Sequence, residues 1–297
     1  MDFLQPSTWD EALAAKAARP DALPIAGGTD VMVELNFDRS RPEAVLDLTK
    51  VPELAAWSRH DGWLRVGAGV TYTRVIAELA AELPGLAIAS RTVGSPQIRN
   101  RGTVGGNLGS ASPAGDAHPP LLAAGAEVEL AATAGSRRIP VADFFIGPKR
   151  SVLRPDELIA AVWVPRAAGP QQFAKVGPRN AMVIAVCSFA LALDPERRRV
   201  GSGIGSAGPT PLAAAEAERF LQGVLDEEGL WASRGVLGEA AVARFGALVA
   251  GAARPIDDVR GTAAYRVHAL GVLARRTLAW AWEDYRARPA ATSPAGR

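Results

Sequence analysis

Apolar and polar positions alternate along this chain in rhythms that change three times. Thr8 stands three residues before Glu11 and an Ala-rich stretch follows, capping-box spacing that predicts a helix from about Ser7. Residues 23–26 form an apolar run that stops at Gly27-Gly28, the pattern of a short buried strand. Residues 31–35 then read as a short helix, and 44–48 and 63–66 as further strands. The strand–helix rhythm restarts near Asp61, which places a subdomain boundary there. From 93 to 120 periodicity is lost among Gly, Ser, Pro, Asn and Arg. A loop that long inside a compact domain is functional or disordered, and Arg, Asn and Asp among glycines favour function. Strands resume at 127–131 and 158–164, with a hairpin about Ala134-Gly135. Beyond Pro170 three strands (172–176, 183–193, 199–205) precede three helices (212–222, 230–249, 262–286), the order of a separate α+β domain.

Composition narrows the function more than the fold. A chain of 297 residues is long for one core. Its net charge of +2 is spread without a basic arm, so neither nucleic acid nor membrane insertion is expected. The longest apolar run, 182–193, is short of the about 20 residues that span a bilayer. Met1-Asp2-Phe3-Leu4-Gln5-Pro6 has no secretory character, so a cytoplasmic location is expected. The one cysteine, Cys187, permits no disulfide within the chain and no iron–sulfur cluster held by it alone. His60, His118 and His268 lie far apart and no metal ligands are assigned; any metal centre belongs to another polypeptide.

Two glycine pairs carry the candidate chemistry. Ala26-Gly27-Gly28-Thr29-Asp30-Val31 leaves a strand for a helix, and Arg101-Gly102-Thr103-Val104-Gly105-Gly106-Asn107 lies in the aperiodic stretch. Glycines let main-chain N–H groups approach an anion, and a helix start adds positive potential suited to pyrophosphate. Thr29 offers a hydroxyl, Asn107 an amide, and Asp116 a carboxylate for a ribose or ribityl hydroxyl. Each pair alone also fits a tight turn. Asp30 beside a pyrophosphate is repulsive and is read as a helix cap. Gly203-Ile204-Gly205-Ser206-Ala207-Gly208 matches the dinucleotide fingerprint by letter only. Arg197-Arg198-Arg199 precede it and Pro209-Thr210-Pro211 follow, so it reads as a strand end. Lys175, Arg99, Arg101 and Arg179 read as surface residues and Cys187 as a buried hydrophobe. No nucleophilic set is spaced for catalysis, so no catalytic residue is assigned.

At these loops the chain resembles the FAD-binding medium subunits of the xanthine dehydrogenase and carbon monoxide dehydrogenase family of molybdenum hydroxylases. The resemblance rests on Leu23-Pro24-Ile25-Ala26-Gly27-Gly28-Thr29-Asp30, on Gln97-Ile98-Arg99-Asn100-Arg101 with the second glycine loop, and on Ala111-Ser112-Pro113-Ala114-Gly115-Asp116. It continues through Leu153-Arg154-Pro155-Asp156-Glu157-Leu158-Ile159, Phe173-Ala174-Lys175-Val176-Gly177-Pro178-Arg179, Arg254-Pro255-Ile256-Asp257-Asp258-Val259-Arg260 and Tyr265-Arg266. It implies an α+β fold: a two-lobed FAD-binding domain of the vanillyl-alcohol-oxidase/p-cresol-methylhydroxylase type (1–57 and 58–168), a smaller α+β flavoprotein C-terminal domain (169–287) and a tail (288–297). It further implies that Ala26, Gly27, Gly28, Thr29, Asp30 and Val31 hold the FAD pyrophosphate. Thr103, Gly105, Gly106, Asn107, Ser110 and Asp116 would hold the rest, with Ile159 near the adenine or flavin and Lys175 near the flavin ring. Partners would be a large molybdopterin subunit and a small subunit with two [2Fe–2S] clusters, in a dimer of heterotrimers. Some xanthine dehydrogenase relatives carry acidic residues where this chain has Met182 and Val183, which leaves the acceptor open among NAD, a quinone and other carriers.

Two other readings stay open on sequence. A self-sufficient flavin oxidoreductase needs acid–base residues around a pocket, and no such set assembles. A flavin-free interaction module is opposed by the intact glycine loops and Asp116. The organic substrate is left open, because the resemblance assigns its choice to another subunit.

Overall fold

The computed structural model describes residues 1–288; the expected tail, 288–297, lies outside the described residues apart from Arg288. The chain opens with a small parallel sheet in the order Asp2–Leu4, Ala44–Asp47, Leu23–Ile25. The middle strand is fully buried, whereas Leu23–Ile25 sits at the edge and is only half-buried. The helix Trp9–Ala18 crosses between strands. Thr8 caps it by accepting from Glu11 N at 3.2 Å, while the Glu11 carboxylate reaches back to Ser7 N at 2.8 Å. Asp2–Leu4 was missed because three residues at a sheet edge carry no alternation to read.

The second sheet has five antiparallel strands in the order Trp57–His60, Trp63–Gly67, Leu158–Pro165, Glu127–Ala132, Gly135–Pro140. Leu158–Pro165 is central and buried along nearly its whole length. Its pairing slips at Ala160, whose carbonyl accepts from Ala68 N at 3.0 Å instead. The aperiodic stretch 93–120, expected as a loop, is largely helical: Pro96–Arg101, Val104–Ser110 and His118–Ala124. Ser95 and Thr103 cap the first two, and prolines open the first and third. Each helix runs less than about two turns at 3.6 residues per turn, too short to display an apolar stripe.

The third sheet, Gln171–Val176, Cys187–Asp194 and Arg199–Gly205, is antiparallel. Helices Ala215–Glu227, Glu239–Ala252 and Ala263–Ala287 cover one face, where Cys187, Phe189, Leu191 and Leu193 join the core. The other face meets the helices Pro84–Thr92 and His118–Ala124 through Phe173, Ala190 and Ala192. Covering on both faces explains why Cys187–Asp194 is apolar without alternation. Residues 183–186, expected in this strand, form its approach instead. The predicted helix 230–249 is broken into Leu230–Ser233 and Glu239–Ala252 at Arg234, which is left-handed (φ 52°).

The fingerprint-like glycines find their use here. Gly201, Gly203 and Gly205, at every second position of the strand, share the face that meets the helix His118–Ala124. A Cβ on Gly201 would lie 2.1 Å from Ala123 O, and one on Gly203 2.1 Å from Pro119 O. They let helix and strand backbones touch across the seam between the second and third sheets' packing layers. Gly203→Val should therefore destabilise the chain by more than about 3 kcal/mol, since backbone cannot swing aside as a side chain can. Urea denaturation checks this, and an unchanged midpoint would contradict the packing.

Candidate cofactor site

The first glycine loop leaves the edge strand at Ala26. Gly28 takes φ +77°, the left-handed region that favours glycine, and Gly27 has a different reason to lack a side chain. A Cβ on Gly27 would lie 1.9 Å from Arg101 O and 2.5 Å from Arg101 C. The first loop is thus pressed against the start of the second. The N–H groups of Gly27, Gly28, Thr29, Asp30 and Val31 donate to no protein acceptor among the described residues. Consecutive free N–H groups on a glycine turn make an anion-binding concavity. Asp30 does not cap the helix Val31–Asn36: it has helical backbone angles, no capping bond and an exposed side chain. That helix buries none of its residues. Its Glu34 pairs with Lys149.

The second loop spends its N–H groups internally. Val104 N donates to Val70 O (3.1 Å), Gly105 N to Ala68 O (3.0 Å) and Gly106 N to Thr103 Oγ1 (2.9 Å). Gly105 is wedged on Ala68, where a Cβ would approach to 2.4 Å. Thr103, Gly105 and Leu108 therefore face inward, while Gly106, Asn107, Gly109 and Ser110 occupy the open side of the helix. Ile159 lies under that side, with Cδ1 3.7 Å from where a Gly109 Cβ would stand. Ser110 Oγ donates to Asn107 O at 3.0 Å, and His118 Nε2 donates to the same carbonyl at 3.1 Å. His118 is fully buried, and desolvation pushes its pKa down to about 4, so the ring is neutral.

The third component joins the two halves of the chain. Lys175, read from sequence as an exposed strand lysine, has a side chain only 8% exposed. The cause is tertiary: the strand Gln171–Val176 lies against the helix Pro84–Thr92, and Lys175 Nζ reaches Asp116 Oδ2 at 2.5 Å. It also donates to Thr92 O at 2.8 Å and Val183 O at 3.1 Å. Burial raises Asp116 to about 6 despite the opposing effect of Lys175. Tyr72 is buried nearby. Desolvation first, then the charges of Asp116 and Asp30, push its phenol well up.

Tyr72 OH, Asn107 Oδ1 and Asp116 Oδ1 are buried without a hydrogen-bond partner among the described residues. Orphaned buried polar atoms are costly unless a ligand or water completes them. Sequence reasoning missed Tyr72 and Thr92, whose neighbours carry no motif, and weighed His118 only as a metal ligand; the fold brings Tyr72 and Thr92 to Asp116 and sets His118 on Asn107. Arg99, read as a surface residue, instead ties down the end of the helix Pro84–Thr92 through the carbonyls of Arg91, Val93 and Gly94.

A free N–H run for a pyrophosphate, an open glycine face and unpartnered groups for ribityl hydroxyls fit FAD. Residues 1–167 match the family described as the FAD binding domain in molybdopterin dehydrogenase, and 172–281 that of the CO dehydrogenase flavoprotein C-terminal domain. The chain belongs to the FAD-binding subunits of the molybdopterin dehydrogenases. Within that family it is 32% identical to the nicotinate dehydrogenase FAD-subunit of Eubacterium barkeri, over 75% of this chain and 79% of the relative. It is 30% identical to the nicotine 6-hydroxylase medium subunit of Paenarthrobacter nicotinovorans, over 93% and 95%. A crystal structure of Cu,Mo-CO dehydrogenase superposes with TM-score 0.86 at 28% identity, covering 97% of this chain and 98% of that one. The α+β architecture and the FAD-binding assignment expected from the resemblance both hold, and the chain is an oxidoreductase subunit. No helix among the described residues is long and apolar enough to cross a membrane, and none of their His, Cys, Asp and Glu side chains cluster as a metal site.

Proposed function

We propose that this flavoprotein subunit takes electrons from two [2Fe–2S] clusters on a small partner and passes them to an external acceptor. A large molybdopterin partner would oxidise the organic substrate, the whole forming a cytoplasmic dimer of heterotrimers. The observation that carries this reading is the junction of the two glycine loops at Gly27 and Arg101, with the free N–H run beside it. Bound FAD supplies the means to exchange electrons singly on one side and in pairs on the other. The N–H groups of residues 27–31, with Ala26 and the Thr29 hydroxyl flanking them, would neutralise the pyrophosphate. Gly106, Asn107 and Ser110 would line the cofactor's path, Thr103 and Gly105 would hold that path in shape, and Ile159 would floor it. Asp116 and Lys175 would sit at the polar end. With a single cysteine, the chain depends on a partner for clusters. Relatives are named for nicotinate, nicotine and carbon monoxide, so substrate choice is assigned to the large partner. Met182 and Ile184 are exposed beside Val183, an apolar rim that suits a quinone or another uncharged acceptor.

The absorbance spectrum of the purified chain tests this directly. Oxidised-flavin bands, FAD released by heat and no bound iron or molybdenum are the expected result; bound metal would overturn the division of labour. Gly106→Trp should lower FAD affinity by tenfold or more, about 1.4 kcal/mol, by filling the open face. Full flavin occupancy in that variant would displace the second loop from the site.

A further inference from the structure

All three hydrogens of the Lys175 ammonium are committed: to Thr92 O, Val183 O and Asp116 Oδ2. The pair is neutral within itself as long as Asp116 is ionised, and both side chains are less than a tenth exposed. Asp116 Oδ1, by contrast, has no partner among the described residues and is open to a proton or a ligand hydroxyl. On the reading that FAD occupies this site, we propose that Asp116 takes up a proton whenever the flavin is reduced, which transfers the charge of Lys175 from Asp116 to the flavin.

The balance follows from charge. Two electrons from a reduced donor and one proton from water leave the flavin with one added negative charge. An unbalanced charge in so dry a site is costly. A second proton from water, placed on Asp116 Oδ1, removes that cost without breaking the bond between Lys175 and Oδ2. Lys175 then offsets the reduced flavin. Reoxidation by the acceptor returns both protons to water.

No other group nearby among the described residues takes this role. Tyr72, on the helix Tyr72–Glu78, is held neutral by burial and by the charges of Asp116 and Asp30. His118, two residues along, is buried and neutral with its Nε2 hydrogen on Asn107 O. Thr92, ending the helix Pro84–Thr92, contributes a hydroxyl 3.5 Å from Asp116 Oδ2 and does not titrate. Burial already holds the Asp116 carboxyl up at about 6, close to the range where it would change state.

The test is the pH dependence of the flavin midpoint potential, followed by reductive titration of the flavin-loaded chain with dithionite between pH 7 and 8.5. Each proton taken up per two electrons contributes about 30 mV per pH unit. The wild type should show about 60 mV per pH unit and Asp116→Asn about 30 mV. The reduced-minus-oxidised infrared spectrum of the wild type should also gain the carbonyl stretch of a protonated carboxyl. A wild-type slope of about 30 mV without that band overturns the proposal, as does an Asp116→Asn slope equal to the wild type's. If Asp116→Asn fails to hold flavin, the wild-type slope and band decide. A chain that binds no FAD overturns the proposed function itself, an outcome distinct from bound FAD with the shallow slope.

Discussion

Gly27→Ala is expected to force the two glycine loops apart and to strip the chain of flavin. The added methyl carbon would stand 1.9 Å from Arg101 O and 2.5 Å from Arg101 C, with Gly102 N at 3.0 Å behind them. All three are backbone atoms, so relief requires moving a main chain held by Tyr72 N on Gly102 O at 3.1 Å and by Gly102 N on Ile98 O at 2.6 Å. Overpacking against side chains costs about 1–3 kcal/mol, and backbone against backbone should exceed that range. A displaced Arg101 carries Thr103 and Gly106 with it, so a variant that still folds should lose at least tenfold in flavin affinity, about 1.4 kcal/mol. Gly223→Ala is the matched control: it lies in the helix Ala215–Glu227 with nothing near its would-be Cβ. It should gain roughly 0.5–1 kcal/mol from reduced chain entropy. Flavin absorbance per protein and urea midpoints read both changes. Equal flavin content in Gly27→Ala and wild type would break the link between the loops on which the site rests.

Lys175→Met should cost little stability in mild acid and a great deal in mild alkali. With Lys175 gone, the buried Asp116 loses its counter-charge and its folded pKa rises above about 6. A carboxyl whose folded pKa lies above its unfolded value contributes stability that is present at low pH and lost as pH rises through the folded pKa. At pH 5 both proteins hold Asp116 mainly protonated, so the gap should stay below about 1 kcal/mol. Above pH 6 each further unit adds up to about 1.4 kcal/mol, bringing the gap toward roughly 3 kcal/mol at pH 8. Urea denaturation at the two pH values measures it. A gap that is the same at both would mean that Asp116 and Lys175 do not share a buried charge.

Both experiments probe contacts between segments far apart in the chain, and the same division separates what was legible in the sequence from what was not. The short strands beside Gly27, the hairpin at Ala134-Gly135 and the strands-then-helices order of the C-terminal part were written locally. Turn chemistry and apolar rhythm are properties of neighbouring residues. The glycine loops were visible for the same reason, because the need for a bare backbone leaves its mark at the position itself. The three short helices between 96 and 124 were not visible, since one or two turns fixed by Ser95, Thr103 and prolines lack a periodic face.

The charge state of the site was decided only in three dimensions. Lys175 looks like any strand lysine until its sheet docks on the helices Pro84–Thr92 and His118–Ala124 and places Asp116, Thr92 and Val183 around its ammonium. Asp30 looks like a cap until its backbone turns helical and leaves the carboxylate in solvent. Gly203 and Gly205 read as a strand end, and only the helix His118–Ala124 lying across them gives the reason that they are glycine. In each case the sequence specified the residue, while its burial depended on which distant backbone came to lie beside it, and burial sets the energy of a charge or a bare glycine.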